Sequence, residues 1–194
     1  MAKMETGLPQ DLENVGKSLR ECAALFSREH IQSIASQRIS TGFPVLDRSL
    51  NGGLSNGLYV LGAVPGLGKS TLALQIAYNL SSQGIPVLYF ALEMSRAWIT
   101  AKSICRADFA LHHQTGFQAA DLLDSRKAKN FSDTQWDRIN QAREVITQEG
   151  KHLYLYEQGP SLSHIGHIQE HIRAFREAHH QDYGDRPIMV VVDY

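Results

Sequence analysis

The chain has 194 residues, 43% apolar and 20% charged, with a formal net charge of −1. These totals suit one domain with a real hydrophobic core and exclude an acidic disordered chain. They also exclude a protein whose overall charge marks it for nucleic acid, although a few Lys and Arg in one groove would not register in the sum.

The opening "MAKMETGLPQ" lacks the apolar core of a signal peptide, and no window approaches the roughly 20 apolar residues of a membrane span, so a cytoplasmic protein is expected. Residues 11–29 place Leu12, Val15, Leu19, Cys22 or Ala23, and Phe26 at helical spacing on one face. Gly16 weakens that helix, which therefore needs a surface to dock on. "ISTGFPVLDRSLNGGLSNG" reads as a short helix between turn clusters, and "LYVLG" at 58–62 as a short strand. "GKSTLALQIAYNLSSQG" predicts a helix with Leu72, Ile76 and Leu80 on one face and Gly84 as its stop. "PVLYFALE" is a second strand, followed by a helix from about Ser95 to Arg106.

Residues 109–131 are polar and mixed and read as a loop or excursion. Ser132 and Gln135 stand in capping-box spacing at the head of a helix that ends at Gly150. "HLYLYE" is a third strand, and "SLSHIGHIQEHIRAFREAHH" a helix with Ile165, Ile168, Ile172 and Phe175 inward. "PIMVVVD" is the fourth strand, an apolar run suited to burial on both faces. Strands alternating with helices imply crossover connections, hence a parallel α/β sheet covered by helices on both faces.

Chemistry concentrates in "GAVPGLGKST", residues 62–71, between a strand and a helix. Backbone N–H groups of such a loop wrap a phosphate, and the helix N-terminus adds partial positive charge. Pro65, Gly66, Leu67, Gly68, Lys69, Ser70 and Thr71 are the candidate nucleotide-binding residues. Gly66 and Gly68 let the backbone close in, Lys69 reaches the outer phosphates and Ser70 offers its hydroxyl to Mg²⁺. Ala63 stands where the strict pattern has its first glycine, with Gly62 one place early.

Phosphoryl transfer to water also needs a second metal contact and a group that orients the water. Asp193, at the tip of "MVVVD", suits the metal role. Many NTPases follow this aspartate with a glutamate, but Tyr194 stands there, so the base is sought elsewhere. Glu93, at the tip of "VLYFALE", is the candidate, because parallel strands gather their C-terminal tips on one edge. The competing reading of Glu93 is a favourable charge at a helix N-terminus.

Together these stretches resemble the ATPase domain of DnaB-type replicative helicases, within the RecA-like P-loop superfamily. "STGFPVLDRSLNGGLSNGLYVLGAVPGLGKSTLALQIA", "PVLYFALEMSRAWITAKSICR", "HLYLYEQG" and "IMVVVDY" carry the resemblance, and "LEMS" is its most specific mark. It disfavours RadA-like and KaiC-like relatives, and "AKSICR" is similar to forms carried by phages and mobile elements. The resemblance implies a linker region at 1–37 and a partial RecA-like ATPase domain at 38–194, incomplete at its C-terminal side. It further implies Lys69 and Glu93 as catalytic, Ser70 and Asp193 as Mg²⁺ ligands, and ATP as the nucleotide. The implied partners are single-stranded DNA, other subunits of a homo-hexameric ring and a primase. A polar sensor strand, DNA-contacting loops and a basic finger, which the family carries beyond the aspartate, are expected to be missing. The sheet should then have unpaired edges and the chain alone little ATP turnover. A non-motor ATP-binding module is the alternative from another class.

Other features carry less. His164, His167 and His171 recur at i, i+3, i+7, where a polar helix flank is preferred over a metal site. Lys102, Arg106, Arg126, Lys127 and Lys129 form the densest basic area, preferred as solvated surface over a phosphate contact. Cys22 and Cys105 lack metal-type spacing and read as free thiols.

Overall fold

The computed structural model describes residues 18–24, 27–29, 32, 38–114, 116–159, 164–184 and 186–194. The chain divides into two units, 1–38 and 39–194. In the first, helix α1 spans Leu19–Ala24. Its start is a reciprocal cap: Ser18 N–H donates to Glu21 Oε2 at 2.8 Å, and Glu21 N–H donates to Ser18 Oγ at 3.3 Å. Leu19, Cys22 and Ala23 of the expected apolar face are all exposed within this unit. Leu12, Val15 and Phe26 lie outside the described residues.

The second unit is organised by one strand. "VLYFA" forms β1 (Val87–Ala91), in which every residue is at most 1% exposed. Such burial on both faces requires neighbours on both edges and helices above and below. β2 (Leu153–Glu157) and β3 (Met189–Asp193) flank it, both parallel, giving the order β2-β1-β3. Val87 stands opposite Leu153 and Met189, and Ala91 opposite Glu157 and Asp193. A short helix α2 (Pro44–Ser49) precedes the sheet. On one face, Val87, Tyr89 and Ala91 pack against Leu74, Ala77 and Leu80 of helix α3 (Lys69–Ser82) and Ile99 of helix α4 (Arg96–His112). On the other, Leu88 and Phe90 pack on Ile168 and Phe175 of helix α8 (Ile165–Ala178). Each such Leu or Phe contributes about 2 kcal/mol through burial. The expected parallel sheet covered on both faces is what these contacts form.

Local signals set most helix ends. Ser132 and Gln135 make the capping box of helix α7 (Asp133–Glu149), with Gly150 at its C-cap. After α3 the chain turns through Gly84 at φ 79°. There Gly84 N–H donates to the Ser81 carbonyl at 2.9 Å and Ile85 N–H to the Leu80 carbonyl at 3.1 Å.

Four expectations are corrected. Residues 58–62 form no strand: Leu58 is 91% and Val60 87% exposed. An apolar run becomes a strand only when a neighbouring edge takes its N–H and C=O groups, and among the described residues none does. β3 correspondingly lies at the sheet edge rather than buried on both sides, with Val192 40% exposed.

Second, residues 109–131 are not a loop. α4 continues to His112, and two short helices follow, α5 (Ala119–Leu123) and α6 (Ser125–Ala128). Tertiary contacts order them. Phe117 is buried, its ring 5.5 Å from Phe131, which is in turn 5.7 Å from Trp136 on α7. Third, the buried stripe of α3 is Leu74, Ala77, Tyr78 and Ser81, joined by Leu80, while Leu72 is only half-buried. The inward face is rotated because α3 packs under α4 and α7 as well as on the sheet: Arg106 of α4 lies 4.5 Å from the Tyr78 ring. Fourth, Ile165 is exposed, being the first residue of α8 and beyond the sheet surface its stripe covers.

Candidate functional site

The elements above converge on the N-terminus of α3. The preceding chain turns at Pro65 and Gly66, with Leu67 N–H donating to the Val64 carbonyl at 3.3 Å. Gly66 has φ 83° and Gly68, the N-cap, φ 89°. Both values lie in the left-handed region where a Cβ is strained, so the sequence's glycines are required at these two positions. Gly68 offers no capping side chain, and the first helical bond runs from Leu72 N–H to the Gly68 carbonyl at 2.9 Å. The loop from Leu61 to Gly68 is exposed, and Lys69 and Ser70 are half-buried where it meets the sheet.

The opposite wall is the tip of β3. Ser70 Oγ donates to Asp193 Oδ1 at 2.8 Å, across 123 residues of sequence. Asp193 itself is 7% exposed. Lys69 Nζ donates to the Tyr194 carbonyl at 3.2 Å and stands 5.7 Å from the Tyr194 ring centre. Thr71 Oγ1 accepts from Lys102 Nζ of α4 at 3.5 Å. The tips of β1 and β3 are joined by Leu92 N–H donating to the Asp193 carbonyl at 2.9 Å. Glu93 follows directly and is exposed, in the turn before Ser95, whose hydroxyl caps α4 by accepting from Trp98 N–H at 3.2 Å. On the far side, Arg96 Nε pairs with Glu157 Oε2 at the tip of β2, 3.0 Å away.

Thus Lys69, Ser70 and Asp193 are brought together at the strand tip, and Glu93 into the adjoining turn. Pro65, Gly66, Leu67 and Thr71 form the exposed loop and first helical turn over them. A serine hydroxyl and a carboxylate oxygen side by side are hard oxygen donors, a set that fits Mg²⁺. Sequence reading missed Tyr89, whose hydroxyl donates to Asp193 Oδ2 at 2.9 Å. Burial, then the adjacent Asp193 charge, pushes the Tyr89 phenol far above its ordinary value.

The other candidates resolve as framework. Arg106 pairs with Glu149, Arg126 with Asp124 and Lys127 with Asp121, so most of the basic area is matched by carboxylates. His164 caps α8 by accepting from Gly166 N–H at 3.1 Å, and His171 lies against the Tyr156 ring at 5.1 Å. Among the described residues no three His, Cys, Asp or Glu side chains group to hold a metal. Nor is any described helix long and apolar enough to cross a membrane.

Residues 38–194 match the family model described as DnaB-like helicase C terminal domain. The replicative DNA helicase DnaB of Helicobacter pylori is 27% identical over 141 residues, which is 73% of this chain and 26% of that protein. The DNA repair protein RadA of Campylobacter jejuni is 49% identical, but over 67 residues, 34% of this chain and 15% of that protein. The chain thus spans about a quarter or less of the length of these relatives. Among solved structures, an ATPase domain aligns with TM-score 0.66 at 23% identity, covering 92% of this chain and 57% of that one. A DnaB-like replicative helicase, solved for its interactions with primase, aligns with TM-score 0.64 at 22% identity, covering 92% and 39%.

Proposed function

Because the chain belongs to the DnaB-like helicase C-terminal domain family, we propose that its phosphate loop binds ATP and hydrolyses it as part of a replicative DNA helicase motor. The observation that carries this is the 2.8 Å contact between Ser70 and Asp193 at the start of α3. It joins a phosphate-loop hydroxyl to a strand-tip carboxylate.

Each residue then has a task. Gly66 and Gly68 hold the backbone in the left-handed turns that expose N–H groups at the helix start to a phosphate chain. Lys69, extended over the strand tips, is the cation for the outer phosphates. Ser70 and Asp193 are the two side chains that would hold Mg²⁺. The metal, when bound, neutralises charge developing on the phosphate oxygens. Glu93, exposed beside the Asp193 tip, accepts the proton of the attacking water and orients it. The arrangement gains from a pre-placed carboxylate, because catalysis of phosphoryl transfer is chiefly positioning and electrostatic stabilisation.

The motor reading extends to single-stranded DNA as the track, a homo-hexameric ring as the assembly, a primase as a partner and the cytoplasm as the location. A RadA-like repair ATPase is the second reading, favoured by the higher identity of the short RadA match. The span of the helicase family model, from residue 38 to 194, favours the first. Calorimetric titration with ATP and Mg²⁺ tests the site. Lys69→Ala should abolish binding, and unchanged affinity would refute the assignment of the phosphate loop.

A further inference from the structure

Asp193 meets Ser70 through only one carboxylate oxygen, and the second is held from the interior of the sheet. Tyr89 sits in the middle of β1 and is wholly buried, at 0% exposure. Across to β3 its register partner is Val191, two residues before Asp193. Residues two apart on a strand share a face, and a long side chain reaches the diagonal neighbour. Ala91, opposite Asp193, carries only a methyl group, so nothing larger stands between. The phenol therefore lies along the sheet and donates to Asp193 Oδ2 at 2.9 Å, while Oδ1 accepts from Ser70 Oγ at 2.8 Å.

We propose that Tyr89 is a positioning residue for the metal-side carboxylate: by holding Oδ2 on the sheet side it leaves Oδ1 turned to Ser70, where the two side chains would hold nucleotide-bound Mg²⁺. The proposal rests on the reading of Ser70 and Asp193 as the metal pair. Packing alone does not explain the hydroxyl, since phenylalanine fills nearly the same space in an apolar layer of Val87, Leu74 and Ala77. A buried hydroxyl needs a partner, and here the partner is the one carboxylate that faces the phosphate loop. In a site shielded from water a single hydrogen bond restrains rotation of the carboxylate strongly, as outer-shell partners of metal ligands do. The chain thereby fixes a ligand before any metal arrives.

The test is Tyr89→Phe in the full chain, titrated with a fluorescent ADP analogue in EDTA and across a MgCl₂ series. Metal-free binding should stay within about twofold of wild type, while the Mg²⁺ midpoint rises about tenfold. In an Asp193→Asn background the same change should have no further effect on the Mg²⁺ midpoint. An unchanged midpoint in Tyr89→Phe, or equal losses with and without Mg²⁺, overturns the positioning role and leaves the phosphate loop standing. If wild type itself binds no nucleotide under either condition, the underlying reading fails and this one with it. A measurement without mutation covers the case in which the variant does not fold. The Tyr89 ¹³Cζ resonance should move when MgCl₂ is added to the ADP-bound wild type, and a resonance that stays fixed counts against the proposal.

Discussion

Replacing Arg138 with methionine should remove about 3 kcal/mol of stability and identify what holds the 96–149 helices together. Asp108, on α4, is 0% exposed. Its Oδ1 accepts from Arg138 Nε at 2.8 Å and its Oδ2 from Arg138 Nη2 at 2.8 Å, a two-point fork from α7. His112 Nδ1 stands 3.1 Å from Oδ1. Gly116 closes over the pair so tightly that an added Cβ would lie 2.3 Å from Asp108 Oδ2. Methionine keeps the aliphatic stem and removes the guanidinium, leaving a buried carboxylate with its main counter-charge gone. Breaking such a pair costs about 3–5 kcal/mol. Water reaches 22% of the Arg138 side chain, which places this case at the lower end. With a urea slope of about 2 kcal/mol/M, the unfolding midpoint should fall by roughly 1.5 M. Circular dichroism across a urea series reads this directly. Asp108→Leu with Arg138→Met should recover most of the loss, because the cost lies in the orphaned charge rather than in a missing attraction. A midpoint shift under about 0.5 M, or a double variant less stable than the single, would show that the pair does not act as a buried unit.

Two further outcomes follow from side-chain environments. Burial first, then the nearby Asp108 and Asp121 charges, pushes the Cys105 thiol up to about 11. At pH 8 only about 0.1% of it is thiolate, so iodoacetamide should label exposed Cys22 well before Cys105, as read by peptide mass spectrometry. Equal labelling rates would contradict that environment. Asp47 accepts hydrogen bonds from Ser40 Oγ at 2.6 Å, Thr41 Oγ1 at 2.6 Å and Thr41 N–H at 2.8 Å, which hold its carboxyl below the usual 3.8. Its folded value is depressed, so its stabilisation of the 39–54 turn is complete above the unfolded value, near about 3.9, and is lost as pH falls through the folded one. A ¹³Cγ titration should place the Asp47 midpoint below 3.8, and a midpoint at or above that value would remove the argument.

What could be read from the sequence was what neighbours along the chain decide. The glycines at 66 and 68 are needed for left-handed backbone, the Ser132–Gln135 box starts α7, and Gly84 stops α3. All three are effects spanning a few residues. The runs that became β1, β2 and β3 were equally legible from their β-branched and aromatic residues, although only the central strand β1 is fully buried on both faces. Their parallel order followed from the helices between them. The phosphate-loop spacing singled out Lys69 and Ser70, and the tips of two apolar strands singled out Glu93 and Asp193, as candidates.

Tertiary structure decided the rest. "LYVLG" has the composition of a strand but no strand geometry, because pairing is a property of two segments and not of one. Residues 109–131 look like a loop until Phe117, Phe131 and Trp136 come together and the Asp108–Arg138 pair anchors their flanks. The α3 stripe turned because three elements, not one, cover it. Tyr89 was one more apolar letter in "VLYFA" until the register set it diagonally across from Asp193. A side chain's place in its own strand is written locally. Which carboxylate its hydroxyl meets depends on the alignment of two strands about a hundred residues apart in sequence, which packing fixes only when the whole sheet forms.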